Sequence, residues 1–292
     1  MNMRRSNGEK VFAVFNTIFL CALVVATLYP CLYVLFASLS NPIDFYKSTK
    51  FLLKPAGFSI ESFKIVFENS LIWTGYLNTI FYAAVGTFCS VLCTVLAAYC
   101  LSRRNLPGKN AIVMAMMFTM YFGGGMIPHF LVIRSLGLLD NRAVMILPGL
   151  VSTYNFIIVL TYFKGLPYEL EEAATIDGAN KWTVLFKILL PLSKPVVSVI
   201  ALYYLVGIWN NFMTALLYLT DTSKYPLQLV LREILFQGAA NSQTMAQVDD
   251  ASASAETMKY AVMVVSTVPV LCVYPFIQRY FVKGVMIGAV KG

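Results

Sequence analysis

An all-α membrane protein with six spanning helices is the fold class this sequence predicts, and three observations predict it. Hydrophobic residues make up 59% of the 292 and charged residues only 12%, with a mean hydropathy of +0.71, whereas soluble domains carry about 25% charged residues. A spanning helix needs about 20 mostly apolar residues, and six runs free of Asp, Glu, Lys and Arg reach or approach that length, at 11–43, 71–102, 110–133, 143–163, 195–220 and 260–278. Lys and Arg, finally, fall unevenly on the two sides that such a topology creates. The chain is read as one transmembrane domain over 1–292, with spans at 11–38, 72–101, 110–133, 143–163, 195–219 and 260–278.

The first run follows Arg4, Arg5 and Lys10, which could pass for the basic start of a signal peptide. Its uncharged stretch from 11 to 37 is too long for the roughly 7 to 15 apolar residues of a signal sequence, so it is read as a retained first helix. Pro30 in the first span, and Gly123, Gly124, Gly125 and Pro128 in the third, lead us to expect kinks or early ends there, because backbone bonds are lost. Between the first two spans, 41–70 reads as an external loop with a Pro-Gly character at Lys54-Pro55-Ala56-Gly57. Pro107-Gly108 makes the inner turn before the third span. Residues 134–142 lie outside and 164–194 form the long inner insert. The second large external segment, 221–259, joins an amphipathic piece over 226–236 to a polar stretch over 238–256.

With the N-terminus inside, thirteen Lys or Arg and five acids lie on the inner face, against nine and nine on the outer face, so the whole net charge of +8 sits inside. Cytoplasmic loops are enriched in Lys and Arg, and a basic inner face suits anionic lipid headgroups. Both termini are therefore placed in the cytoplasm of a multi-pass membrane protein, and a nucleic-acid partner is not expected. Cys21, Cys31, Cys89, Cys93, Cys100 and Cys272 all fall in or at the ends of apolar runs without C-x-x-C spacing, which suits packing better than metal or redox work. His129 stands alone without clustered carboxylates and is given no proton to carry.

The inner insert carries the most specific pattern. Pro167 precedes Glu169, Glu171 and Glu172, a composition that favours a helix start. The helix should break near Gly178, and a second helical piece over 180–190 should end at Pro191. Glu172-Ala173-Ala174, then Gly178 after three residues, then Ile188-Leu189-Leu190-Pro191 after nine more, resembles the EAA loop of bacterial ABC importer permeases. The C-terminal run from Gln278 to Gly292 is similar to that of carbohydrate-importer permeases related to the smaller maltose permease subunit. Gly124-Gly125-Met126-Ile127-Pro128 resembles the branch that handles complex oligosaccharides.

That resemblance implies the type I ABC importer permease fold with a cytoplasmic coupling helix. Glu171, Glu172, Ala173, Ala174, Asp177, Gly178, Ile188, Leu190 and Pro191 become the candidates for coupling to an ATPase, and Gln278, Arg279 and Lys291 for tail contacts to it. The carboxylates suit pairing with the partner's Arg or Lys, the alanines a close approach, and Gly178 a sharp turn. No cofactor belongs to this chain; ATP and Mg belong to the partner ATPase. The implied partners are an ATP-binding subunit dimer, a second permease that is a different chain, an extracytoplasmic solute-binding protein and the lipid bilayer.

Sugars are held by aromatic faces and by amide or hydroxyl groups, so Tyr154, Asn155, Tyr204, Trp209, Asn210 and Asn211 are the candidates for the substrate pathway. Tyr203 and Phe212 belong to the same dense set. An ion-coupled secondary transporter normally keeps ionisable groups inside the membrane, and none of the six runs contains one of Asp, Glu, Lys or Arg. No convergent catalytic constellation and no G-x-x-x-x-G-K-[ST] phosphate loop appears. The function read from the sequence is a carbohydrate permease subunit working by alternating access, not an enzyme, with a non-sugar importer permease or a secondary transporter as alternatives.

Overall fold

The computed structural model describes residues 7–48, 51–103, 106–244, 254, 256–272 and 275, and the side chains of these except 237–244. Among the described residues every regular element is a helix, apart from an isolated bridge between Ser40 and Phe58. Among the described residues, two helices are individually long and apolar enough to cross a membrane, and three bent helix pairs pass the same test when each pair is joined. The chain divides into two compact units, the first made of residues 1–69 with 233–268, the second chiefly of 70–232.

In the first unit, α1 (Asn7–Ser38) continues through Pro30 without a break. Its apolar side chains from Val11 to Val25 are exposed on the isolated chain, as a lipid-facing surface requires. The segment expected to be an irregular external loop contains two short helices, α2 (Pro42–Lys47) and α3 (Glu61–Glu68). The first is nucleated locally: the Asn41 side chain accepts the amide N–H groups of Ile43 and Asp44 at 3.0 and 3.4 Å, and Pro42 fixes the first helical φ. Ala37, Phe45 and Leu52 form the small core of this unit, flanked by Tyr33 and Tyr260, whose rings meet edge to face at 5.7 Å. Residues 256–272 are helical, and the hydroxyls of Ser62 and Thr257 are hydrogen-bonded at 2.9 Å.

The second unit is organised around α4 (Ser70–Ser102), an unbroken helix of 33 residues that packs along α7 and α11. The expected third span is broken: α5 (Lys109–Tyr121) and α6 (Met126–Ser135) meet at a bend of 119°, with Gly125 at φ +84°. The glycine run and the Pro128 that follows it account for the break. The fourth span opens with two 3-10 turns, Arg142–Met145 and Leu147–Gly149, before α7 (Thr153–Lys164), since Pro148 cannot donate to a preceding α-helical turn.

After α7 comes the inner insert, with α8 (Glu169–Ile176), α9 (Lys181–Thr183), a π-helical stretch (Val184–Leu189) and α10 (Leu190–Leu192). The chain then bends by 84° into α11 (Lys194–Trp209). The expected fifth span is also interrupted. Asn210 caps α11, and α12 (Met213–Tyr218) restarts with the Asn211 side-chain Oδ1 accepting the Thr214 N–H at 3.1 Å. A further helix, α13 (Leu227–Thr244), contributes its first turns, 227–232, to this unit. Of the cysteines, Cys89 and Cys93 are partly buried, whereas Cys21, Cys31, Cys100 and Cys272 are exposed on the isolated chain. Those four do not pack into the described core, because each lies on the outward side of its apolar helix.

Candidate coupling loop and membrane cavity

α8 begins where the sequence places it. Its first turn carries Glu169, Glu171 and Glu172, and it ends in a double backbone closure. The Ala179 N–H reaches the Ala174 carbonyl at 2.9 Å and the Gly178 N–H reaches that of Thr175 at 3.1 Å, with Gly178 at φ +80°. This is a Schellman ending, and it needs a residue that tolerates the left-handed conformation. A Cβ on Gly178 would meet nothing within 4 Å, so backbone conformation and not space selects glycine here. Asn180 then starts the next piece, its side-chain Oδ1 accepting the Thr183 N–H at 2.8 Å.

The two adjacent carboxylates face opposite ways. Glu172 is exposed, whereas Glu171 is 3% exposed and ion-paired with Arg103, with Lys181 Nζ 3.1 Å away. Arg103, at the end of α4, donates to the Ser102 hydroxyl and lies 4.8 Å over the Tyr99 ring. Burial lowers its pKa from the ordinary arginine value, opposed by the neighbouring Tyr99 and Tyr168. The guanidinium nonetheless remains charged at neutral pH. The Tyr99 hydroxyl also reaches the Lys181 carbonyl at 3.4 Å. Glu171 is therefore an internal tie, whereas Glu169, Glu172 and, at the cap, Asp177 are exposed and can meet another protein. A polar cavity of about 410 Å³ opens beside the tie, lined by Arg103, Lys109, Lys164, Tyr168, Glu169 and Glu171.

The two alanines also separate. Ala173 is exposed and Ala174 joins the main core, with Val95, Ala98, Phe156, Phe163, Leu185 and Leu189. Ile188 and Leu190 pack against that core from its edge, while Pro191 stands exposed within α10, just before the bend at Ser193. The anchor is Leu185 with Leu189, because the wide π turn aims both inward. Sequence reasoning missed the apolar part of the outer surface. Ile176 is 86% exposed and Trp182 62%, with the Phe186 ring stacked on Trp182 at 6.0 Å. Large apolar side chains at positions 176, 182 and 186 in an otherwise polar loop were the signal available.

Within the helices, a second cavity of about 430 Å³ is lined by Ser90, His129, Asn155, Tyr203, Tyr204 and Asn211 among others. Three of the six predicted pathway residues, Asn155, Tyr204 and Asn211, are thus brought together. Tyr204 has little polar capacity left for a ligand. Its hydroxyl accepts the Ser152 N–H at 2.9 Å and shares a hydrogen bond with Thr94 at 2.7 Å. Tyr154 is exposed against Tyr203, Trp209 is buried away from the cavity, and Asn210 is the cap of α11 and exposed. His129 joins the lining because the bend between α5 and α6 carries it there. Gln278, Arg279 and Lys291 lie outside the described residues.

At the other end of α4 a loop is latched in place. Asn78 donates to the carbonyls of Ser223 and Tyr225 at 2.8 and 3.0 Å, Tyr82 to that of Lys224 at 2.8 Å, and the Leu227 N–H to the Thr79 hydroxyl at 2.8 Å. Asp140, at φ +51°, accepts the N–H groups of Thr220 and Asp221 and pairs with Lys224 at 3.0 Å. Those backbone donors, with Lys224, hold the Asp140 pKa down to about 2.

A bundle of apolar helices carrying a projecting two-helix loop, with an uncharged cavity among the helices, defines an integral membrane permease component. Residues 11–287 match the family model described as binding-protein-dependent transport system inner membrane component, and the chain belongs to that family. It is 42% identical over 275 residues to the polygalacturonan/rhamnogalacturonan transport system permease protein YtcP of Bacillus subtilis (strain 168), covering 94% of this chain and 96% of that one. It is 28% identical to the diacetylchitobiose uptake system permease protein NgcG of Streptomyces coelicolor, covering 98% and 91%. Among solved structures, a crystal structure of a bacterial ABC transporter involved in the import of the acidic polysaccharide alginate matches with a TM-score of 0.86 at 33% identity, covering 95% of this chain and 99% of that chain. The type I importer permease fold inferred from the EAA spacing is the fold of this protein.

Proposed function

We propose that this chain is one transmembrane half of an ATP-driven carbohydrate importer, with both termini cytoplasmic in a bacterial inner membrane. The observation that carries the reading is the inner loop. A short helix closed by Gly178 presents Glu172, Ala173 and Ile176 outward beside Trp182 and Phe186, while its opposite face is buried in the helix bundle. A rigid knob with an apolar tip and a carboxylate at its edge suits a groove with a cationic rim. The occupant of that role is a separate ATPase subunit, which supplies ATP and Mg chemistry that this chain lacks. Its closure carries the loop and rocks the helices between inward- and outward-open states.

The substrate class is carbohydrate, most simply an oligosaccharide. The relatives named for polygalacturonan, rhamnogalacturonan and diacetylchitobiose transport support this. So does a cavity offering tyrosine faces, two amide side chains and hydroxyls. A second, different permease chain completes the pathway, and a solute-binding protein delivers the sugar on the outer face.

The test is co-purification of the chain with its ATPase subunit from the native membrane, followed by uptake of galacturonan and chitin oligosaccharides. Recovery of an ATPase with the parent chain and its loss in a Glu172→Lys, Ile176→Asp variant is the expected result. Equal recovery with both chains rejects the docking surface. Uptake of neither sugar by a complex that retains its ATPase rejects these substrate classes.

A further inference from the structure

We infer that α4 is the transmission element of this permease, and that Glu171 is a positioning residue which passes movement of the inner loop into it through Arg103. This rests on the proposed docking of the loop to an ATPase subunit, and it concerns a different contact.

The inner loop is tied to α4 at two points close together, Arg103 to Glu171 and the Tyr99 hydroxyl to the Lys181 carbonyl. The first tie cannot be given up cheaply, because Glu171 is 3% exposed and loss of Arg103 would leave its buried carboxylate only the largely exposed Lys181 as a cation. The Lys109 ammonium donates to the Arg103 carbonyl at 2.9 Å, so the start of α5 is fixed to the same corner. From that corner α4 runs unbroken. At 1.5 Å per residue, Asn78 and Arg103 are about 37 Å apart along it.

At its far end α4 holds segment 223–227 by three side chains, Asn78, Thr79 and Tyr82. Gly75 brings the backbones together, since a Cβ there would lie 3.1 Å from the Leu227 Cα. A rigid element fixed at both ends to loops on opposite membrane faces has the geometry to make each respond to the other. The exposed Glu172 touches the ATPase, the buried Glu171 moves α4, and α4 moves the segment that faces the solute-binding protein.

The test uses the complex purified with its ATPase subunit, in a chain whose six cysteines are alanine and Thr222 is cysteine. Labelling of that cysteine by a membrane-impermeant maleimide is timed with and without ATP and vanadate. In the parent, trapping the nucleotide should change the rate about 5-fold or more, the ordinary size of a coupling between sites. Glu171→Gln, and separately Asn78→Ala with Tyr82→Phe, should retain the ATPase subunit and trap nucleotide while the change falls below about 2-fold. An undiminished change in both variants, or no change in a parent that holds its ATPase, overturns the inference and leaves the importer assignment standing. Loss of the ATPase in Glu171→Gln alone overturns it too, by making Glu171 a docking residue. Failure of the parent to retain any ATPase overturns the proposed function and this inference together. If Glu171→Gln does not fold, the outer pair of substitutions decides.

Discussion

The Tyr204 hydroxyl accepts the backbone N–H of Ser152 at 2.9 Å and so closes the start of α7 from the neighbouring α11. Because the same hydroxyl also bonds Thr94 on α4, one side chain ties three helices around the membrane cavity. Tyr204→Phe leaves a part-buried amide without its acceptor, a loss of about 1–3 kcal/mol. Thermal unfolding of the detergent-solubilised chain should show a clear drop for this variant. Asn155→Ala, in the lining of the same cavity, should lower sugar uptake more than it lowers stability.

Gly178 is selected by backbone conformation alone. Gly178→Ala should cost about 1–2 kcal/mol through the left-handed backbone, and Gly178→Asn less, since Asn tolerates that region. Both should reduce ATPase stimulation by the loaded binding protein in that order. Equal stimulation in glycine, asparagine and alanine chains would remove the role given to the turn.

Trp182 and Phe186 are stacked and exposed on the isolated chain, beside a loop whose other face is buried. Buried aromatic anchors commonly cost about 2 kcal/mol or more when truncated, so Trp182→Ala should weaken ATPase binding by more than about tenfold. A titration of ATPase subunit against permease in nanodiscs measures this directly. Unchanged affinity would place the contact elsewhere on the loop.

Asp140 gives the loop at the far end of α4 an acid dependence. Its folded pKa is lowered from 3.8 to about 2, so its stabilisation is fully present above about pH 4 and fades as pH falls through about 2. Lys224 is raised instead, and its share persists below the ordinary lysine range, outside this window. Asp140→Asn should therefore flatten the decline in unfolding temperature between about pH 4 and 2, measured on the solubilised chain. An identical slope in the two chains would show that other carboxylates dominate.

Much of the inner loop was legible because its signals are local. Pro167 and three carboxylates mark a helix start, Gly178 a stop and Asn180 a restart, each through bonds within a few residues. The broken third span was legible for the same reason, since Gly123, Gly124 and Gly125 stand in sequence where the helix stops and restarts, with Gly125 at φ +84°. The helix at 42–47 was missed although Asn41-Pro42 is a local signal, because the surrounding Pro-Gly character dominated the reading.

What the sequence by itself determined is the class of the protein: apolar runs of spanning length and the EAA spacing that identifies the loop. What only the tertiary structure decided is the direction of each side chain. Adjacent helical residues point about 100° apart, so Glu171 and Glu172 could not be told apart until α4 supplied Arg103 to one of them. Tyr204 likewise became a brace only when Ser152 and Thr94 arrived from other helices. Local patterns fix where a helix starts and stops, but partners distant in the chain fix which of its faces is buried.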